Sequence, residues 1–167
     1  QDMQNAPIFR EGPYKPLVRI FRPDTIRMKI DTLEIEEVRA LLSNMSDKMH
    51  YQLGRAFSFL RKNFPGGYSL EQMLYAIKQV AEGRKSDDPD EQDDPTTGAL
   101  IWRLNAIFKS SRVFNDTEDL ELKELFRPGQ CTVLQLNEVD QREQRVIVAA
   151  LLRRAYKARV DTAKLKV

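Results

Sequence analysis

The chain has 167 residues, enough to bury a real core, and 41% of them are hydrophobic. Its net charge is only +2, so no global polybasic field demands nucleic acid, and any such contact must be a local patch. The single cysteine, Cys131, excludes an intrachain disulfide and favours a reducing, cytoplasmic compartment, and no run approaches the ~18 apolar residues of a membrane span.

Residues 1–15 carry Pro7, Gly12 and Pro13 and read as irregular. The chain opens without methionine, on QDMQNAP, and we expect a piece of something longer. PLVRIFR (16–22) and IRMKIDTL (26–33) read as two short strands with a turn at Pro23-Asp24 between them. Arg19 and Arg27 alternate with apolar neighbours, which gives each strand one wet face.

The pattern then becomes helical. LEIEEVRALLSN sets Ile35, Val38, Leu41 and Leu42 on one stripe. Asp31 or Thr32 is the expected cap, with Glu34, Glu36 and Glu37 near the positive end of the helix. The next helix starts at Ser46, shows Met49, Leu53, Ala56, Phe57 and Leu60 on one face, and stops at Phe64-Pro65-Gly66-Gly67. In SLEQMLYAIKQVAEG, Ser69 and Gln72 fit a capping box, because each side chain can take up an orphan backbone N–H. Leu70, Met73, Leu74, Ile77 and Val80 form its stripe, and Gly83 fits the exit.

RKSDDPDEQDDPTTG follows, acidic and without apolar residues. It cannot bury enough surface to offset the entropy of ordering it, so 84–97 reads as a solvated, mobile loop. A helix resumes through Leu100, Ile101, Leu104, Ile107 and Phe108, and TEDLELKELF reads as one more short amphipathic helix. RPG at 127–129 turns the chain into a short buried strand, CTVLQL. The last helix takes Asp140 as N-cap and Ile147, Val148, Leu151, Leu152, Ala155 and Tyr156 as its buried stripe. Arg142, Arg153 and Lys157 fall in a narrow arc on the opposite side, with Arg145 at its edge. The expected class is mainly α with a few strands.

A phosphate loop needs glycines to bring backbone N–H groups onto phosphates, a lysine, and Ser or Thr for magnesium. None of the glycines, at 12, 54, 66, 67, 83, 98 and 129, opens that motif, and LQLNEVD does not end in a paired acid. His50 and Cys131 sit in no nucleophile motif, and a structural zinc site needs about four N or S ligands. The residues give no catalytic set and no metal set. Arg142, Arg145, Arg153 and Lys157 read as a solvated face, a subunit interface, or a phosphate contact suited to arginine's fixed fork.

LFRPGQCTVLQLNEVDQREQRVIVAALLRRAYKAR resembles a segment of the HerA-type hexameric ATPases, DNA-translocating relatives of FtsK with a helical bundle inserted into a RecA-like core. In that family a Pro-Gly turn, a hydrophobic strand and a D-L-S-x-L element precede a run like RVVVAALLRRLY. This chain departs at the strand end, with Gln135 for the family's Asp and Asn137-Glu138 for its Ser-Gly. The resemblance implies three parts: 1–32 as core flank with two strands, 33–126 as the bundle insertion, and 127–167 as a core strand and long helix. It implies a parent that uses ATP and magnesium, forms a homo-hexamer, moves double-stranded DNA in end processing and repair, and has a NurA-type nuclease as partner. The phosphate loop would lie upstream of this stretch, which would itself be non-catalytic, with Asn137 and Glu138 near the parent's nucleotide. The alternative is a stand-alone helical interaction module for protein or nucleic acid.

Limited proteolysis followed by mass spectrometry is expected to cut first within 84–97, the stretch with no apolar anchor and two prolines. A first cut within 46–82 would contradict the helical assignment there.

Overall fold

The computed structural model describes residues 17–83 and 95–164. The irregular reading of 1–15 and most of the acidic loop lie outside them. The described elements are β1 (Leu17–Phe21), β2 (Met28–Lys29), α1 (Ile35–Leu41), α2 (Asp47–Asn63), α3 (Leu70–Glu82), α4 (Pro95–Ser110), β3 (Phe114–Asn115), α5 (Leu122–Leu125), β4 (Gln130–Leu134) and α6 (Gln141–Lys164). The class is mainly α with a few short parallel strands.

The bundle forms where helical periodicity and local caps agree. The Ser46 hydroxyl accepts from the Met49 N–H and starts α2. Its expected face is buried throughout, from Met49 to Leu60. Ser69 and Gln72 close the expected capping box on α3, whose Met73, Ala76 and Ile77 are fully covered. Leu100, Leu104 and Phe108 bring α4 onto the same core, and Phe108 meets Phe114 edge to face at 5.9 Å. Pro95, Thr96 and Thr97 belong to the first turn of α4, not to the loop. Proline suits that position because its missing N–H would have no intrahelical acceptor there.

The α1 cap differs from expectation. Glu34, not Asp31 or Thr32, is the N-cap, and its N–H donates to Glu37 Oε2 at 2.8 Å. Thr32 is used in the preceding 3-10 turn, where its hydroxyl donates to the Lys29 carbonyl.

The second expected strand shrinks to Met28–Lys29, because its partner β3 is only two residues long. The alternation still holds, with Ile26, Met28 and Ile30 buried and Arg27 and Lys29 half-buried between them. The last turns before β4 are likewise less helical than expected, and α5 is one turn.

β1 and β4 pair in parallel, from Leu17 opposite Gln130 to Phe21 opposite Leu134. β4 is half-buried along its whole length, not buried, because β1 is its sole described neighbour. Thr132 and Arg19 share one face, covered by α5: Thr132 Oγ1 donates to the Leu125 carbonyl and Arg19 pairs with Glu124 at 2.9 Å. Val18, Ile20, Cys131 and Val133 fall on the other face by the two-residue alternation.

α6 is rotated from its expected orientation. Val146, Ile147, Ala150 and Leu151 are buried, while Val148, Leu152 and Tyr156 are exposed. The shift is one residue, roughly 100° of helix. The early turns of α6 are apolar over a wide arc, so periodicity alone supports both orientations. Arg153 and Arg154 continue the buried side, and each finds acidic partners on the bundle.

Gly67 has φ of +109°, and a Cβ there would collide with the Asp31 carboxylate. Gly67→Ala is expected to cost about 1–3 kcal/mol, the usual range for a side chain forced into such backbone. Chemical denaturation measures it, and Gly66→Ala, with open space around it, is the control.

Candidate functional site

Parallel pairing places the carboxyl ends of β1 and β4 on one edge, and the Gln135 N–H extends the ladder by donating to the Phe21 carbonyl at 2.9 Å. Open α/β sheets bind ligands outside the carboxyl ends of their strands. Arg22 and the turn 22–25 follow β1 there, and Asn137 and Glu138 form the turn after β4. Both Asn137 and Glu138 are exposed. An amide and a carboxylate can each touch a ligand at this edge. They supply no row of backbone donors for phosphates, so they do not by themselves fit ATP with magnesium. Among the described residues no group of three or more His, Cys, Asp or Glu is placed to hold a metal ion.

α6 begins at this edge. Asp140 caps it by accepting from the Arg142 N–H at 2.9 Å. Arg142, Arg145 and Lys157 are exposed, and none has a side-chain ion pair among the described residues. Arg153 is placed differently from the other three cations. Its Nε donates to Glu37 Oε1 at 2.8 Å and its Nη2 to Glu37 Oε2 at 2.9 Å and to the Thr32 carbonyl at 2.9 Å. Glu37 also accepts the Glu34 N–H, so this buried carboxylate takes three N–H donors. Its hydrogen bond to Arg153 raises the guanidinium's pKa above the ordinary arginine value, helped by the Glu37 and Glu34 charges and opposed by partial burial. Glu34 extends the network to Arg61 at 2.7 Å.

Arg154 makes the companion clamp. Its two terminal nitrogens donate to Asp119 Oδ1 and Oδ2 at 3.1 and 2.6 Å, and Nη2 also reaches the Leu120 carbonyl. Asp119 in turn accepts the Lys29 N–H beside β2. Two neighbouring arginines therefore tie α6 to α1 and to the β2–β3 side of the bundle. Reading Glu37 only as a helix-start charge misses this. A signal exists: Glu37 lies one turn before buried Leu41 on the same face, so an acid there needs a buried partner. Arg154 carries a similar signal, three residues after Leu151 and four after Ala150. Asp119 has none, since it lies in an irregular stretch.

Comparison with protein families matches residues 6–155 to the family described as Helicase HerA, central domain. No curated protein and no solved structure matches the chain.

Glu37→Gln and Arg153→Met each leave a partner unsatisfied. Breaking a buried pair costs about 3–5 kcal/mol, and the partial exposure of Arg153 lowers the expectation to about 1–3 kcal/mol. The double variant should cost less than the sum of the two. Arg153→Lys should recover only part of the loss, since lysine keeps the charge without the fork. Denaturant unfolding of the four variants tests this, and strict additivity would contradict the coupling.

Proposed function

Since the chain belongs to the helicase HerA central-domain family, we propose that it is part of an ATP-driven motor that moves double-stranded DNA in end processing and repair. In this reading the chain supplies the helical bundle and one adjoining strand-helix unit, and the phosphate loop comes from outside it. One observation carries the reading beyond the family match. β1 and β4 are in-register parallel neighbours although more than a hundred residues separate them, and the bundle fills the interval. That is the layout of an insertion between two strands of an α/β sheet.

Two apolar surfaces that the described residues do not fully cover support it. Parallel sheets are normally covered on both faces, and here Val18, Ile20, Cys131 and Val133 form an apolar, half-buried face. Val148, Leu152 and Tyr156 form an exposed stripe at four-residue spacing on α6. A larger core would cover both. Arg142, Arg145 and Lys157 then face DNA or a neighbouring subunit of a homo-hexamer, and Asn137 and Glu138 lie toward the bound ATP and magnesium. A NurA-type nuclease is the proposed partner, and the cytoplasm the proposed compartment. No described helix is long and apolar enough to cross a membrane.

The isolated chain is expected to give no micromolar binding of ATP with magnesium in a calorimetric titration and no hydrolysis. A longer protein that contains it should hydrolyse ATP faster when duplex DNA is added. Micromolar binding by the chain alone would overturn its non-catalytic role, and hydrolysis indifferent to DNA in the longer protein would overturn the motor.

A further inference from the structure

The edge formed by the carboxyl ends of β1 and β4 holds more cations than the face of α6 alone. Arg22 is the first residue after β1, exposed, and its guanidinium has no ion pair or hydrogen bond among the described residues. Its backbone is fixed. The Arg22 N–H donates to Thr25 Oγ1 at 3.0 Å, and the Arg22 carbonyl accepts from Thr25 Oγ1, Thr25 N and Ile26 N. A long cationic side chain therefore leaves a hydrogen-bonded turn and is exposed, with no side-chain partner among the described residues.

Arg112 reaches the same region from the other end of the bundle. The Met28 N–H donates to the Val113 carbonyl at 2.9 Å, two residues beyond the Ile26 that closes the Arg22 turn. Two residues span at most about 7 Å. Ser111, on the other side of Arg112, interacts with Glu143 in the first turn of α6. Arg112 and Arg142 thus flank one contact, and Arg112 is exposed and unpaired among the described residues. The acids on this edge are Asp24, Glu138, Asp140 and Glu143. Asp140 caps α6 by accepting from the Arg142 N–H, and Glu143 is half-buried near Ser111. Arg22, Arg112, Arg142 and Arg145 stand beside these four acids in the same segments.

We infer that Arg22 and Arg112 join Arg142 and Arg145 in a rim that binds the backbone phosphates of duplex DNA at this edge. The inference rests on the DNA reading above and names the site. Four arginines on three separate segments, all exposed, suit an extended polyanion better than a compact phosphate group, which needs donors converging on one point. Guanidinium groups on rigid backbone contact phosphate oxygens with little ordering cost.

The test is anisotropy titration of a short fluorescein-labelled duplex across several salt concentrations. It compares the wild-type chain, the double variant Arg22→Ala/Arg112→Ala, and Lys78→Ala on the exposed side of α3 as control. The double variant should bind several-fold more weakly, and its slope of log affinity against log salt should shrink by about 0.9 for each phosphate no longer neutralised. Its thermal melting should not change, because neither guanidinium has a partner to lose among the described residues. Affinity and slope unchanged from wild type would overturn the inference while the DNA reading stands. A wild-type chain that binds no duplex at low salt would overturn both. Labelled ATP with magnesium is the second arm: micromolar binding by the wild-type chain that the double variant loses, with duplex binding intact, would assign Arg22 and Arg112 to a nucleotide and overturn both the inference and the chain's non-catalytic role.

Discussion

A parallel pair of strands cannot be closed by a tight turn. The chain must travel the length of the strand and return to the same end, which takes a crossover of a dozen or more residues. β1 and β4 meet this requirement with an excursion of more than a hundred residues. Most of the architecture follows from it. The bundle must be stable enough to bring its own ends back together, and both ends must emerge where the two strands can pair in register. The second parallel pair, β2 with β3, does this at the base of the bundle, with Met28 and Lys29 opposite Phe114 and Asn115. The two pairs share the constraint: each sets a segment entering the bundle beside one leaving it, in the same direction.

The arginine clamps solve the next problem, which is where to put α6. A long helix leaving β4 has an apolar arc wide enough to dock in more than one rotation. Buried salt bridges add little net stability against an apolar alternative. Their value lies in geometry, because a bidentate fork tolerates one docking angle. Arg153 on Glu37 and Arg154 on Asp119 fix α6 by two such forks on adjacent residues. Rotating the helix by one residue would strand both carboxylates, and Glu37 is too buried to be solvated instead. The same clamps couple the bundle to the strand edge, since α6 starts where β4 ends.

How far the sequence discloses this depends on the range of the interaction. The α2 start at Ser46, the α3 capping box and the buried stripes of both helices are legible, because caps and periodicity are decided within one or two turns. The α1 cap falls a few residues from its expected place, since Asp31, Thr32 and Glu34 all carry an oxygen that can cap. The rotation of α6 escapes periodicity because its decisive partners, Glu37 and Asp119, lie far away in the chain. The apolar run of β4 suits a buried central strand, whereas its half-burial depends on which strands lie beside it. Of the candidate site, the exposed cations Arg142, Arg145 and Lys157 are legible as helix-face residues. Arg22 and Arg112 are not, because only the backbone pairings at Phe21 and Met28 bring their segments to the same edge.

A net charge of +2 is uninformative about partners until the charges are sorted by what they touch. Arg19, Arg27, Arg39, Arg61, Arg153 and Arg154 are each matched by a carboxylate within the fold, so their charge is cancelled locally. Among the described residues Arg22, Arg112, Arg142 and Arg145 have no such partner, and they lie on segments at the carboxyl edge of the parallel strands and the start of α6. Exposed cations with no ion pair among the described residues also lie elsewhere, at Lys62, Lys78, Lys109 and Arg159, so position and not charge alone defines the rim. A field built this way is short-ranged and falls within roughly 10 Å at moderate salt. It favours a ligand that lies directly on the edge over one steered from a distance.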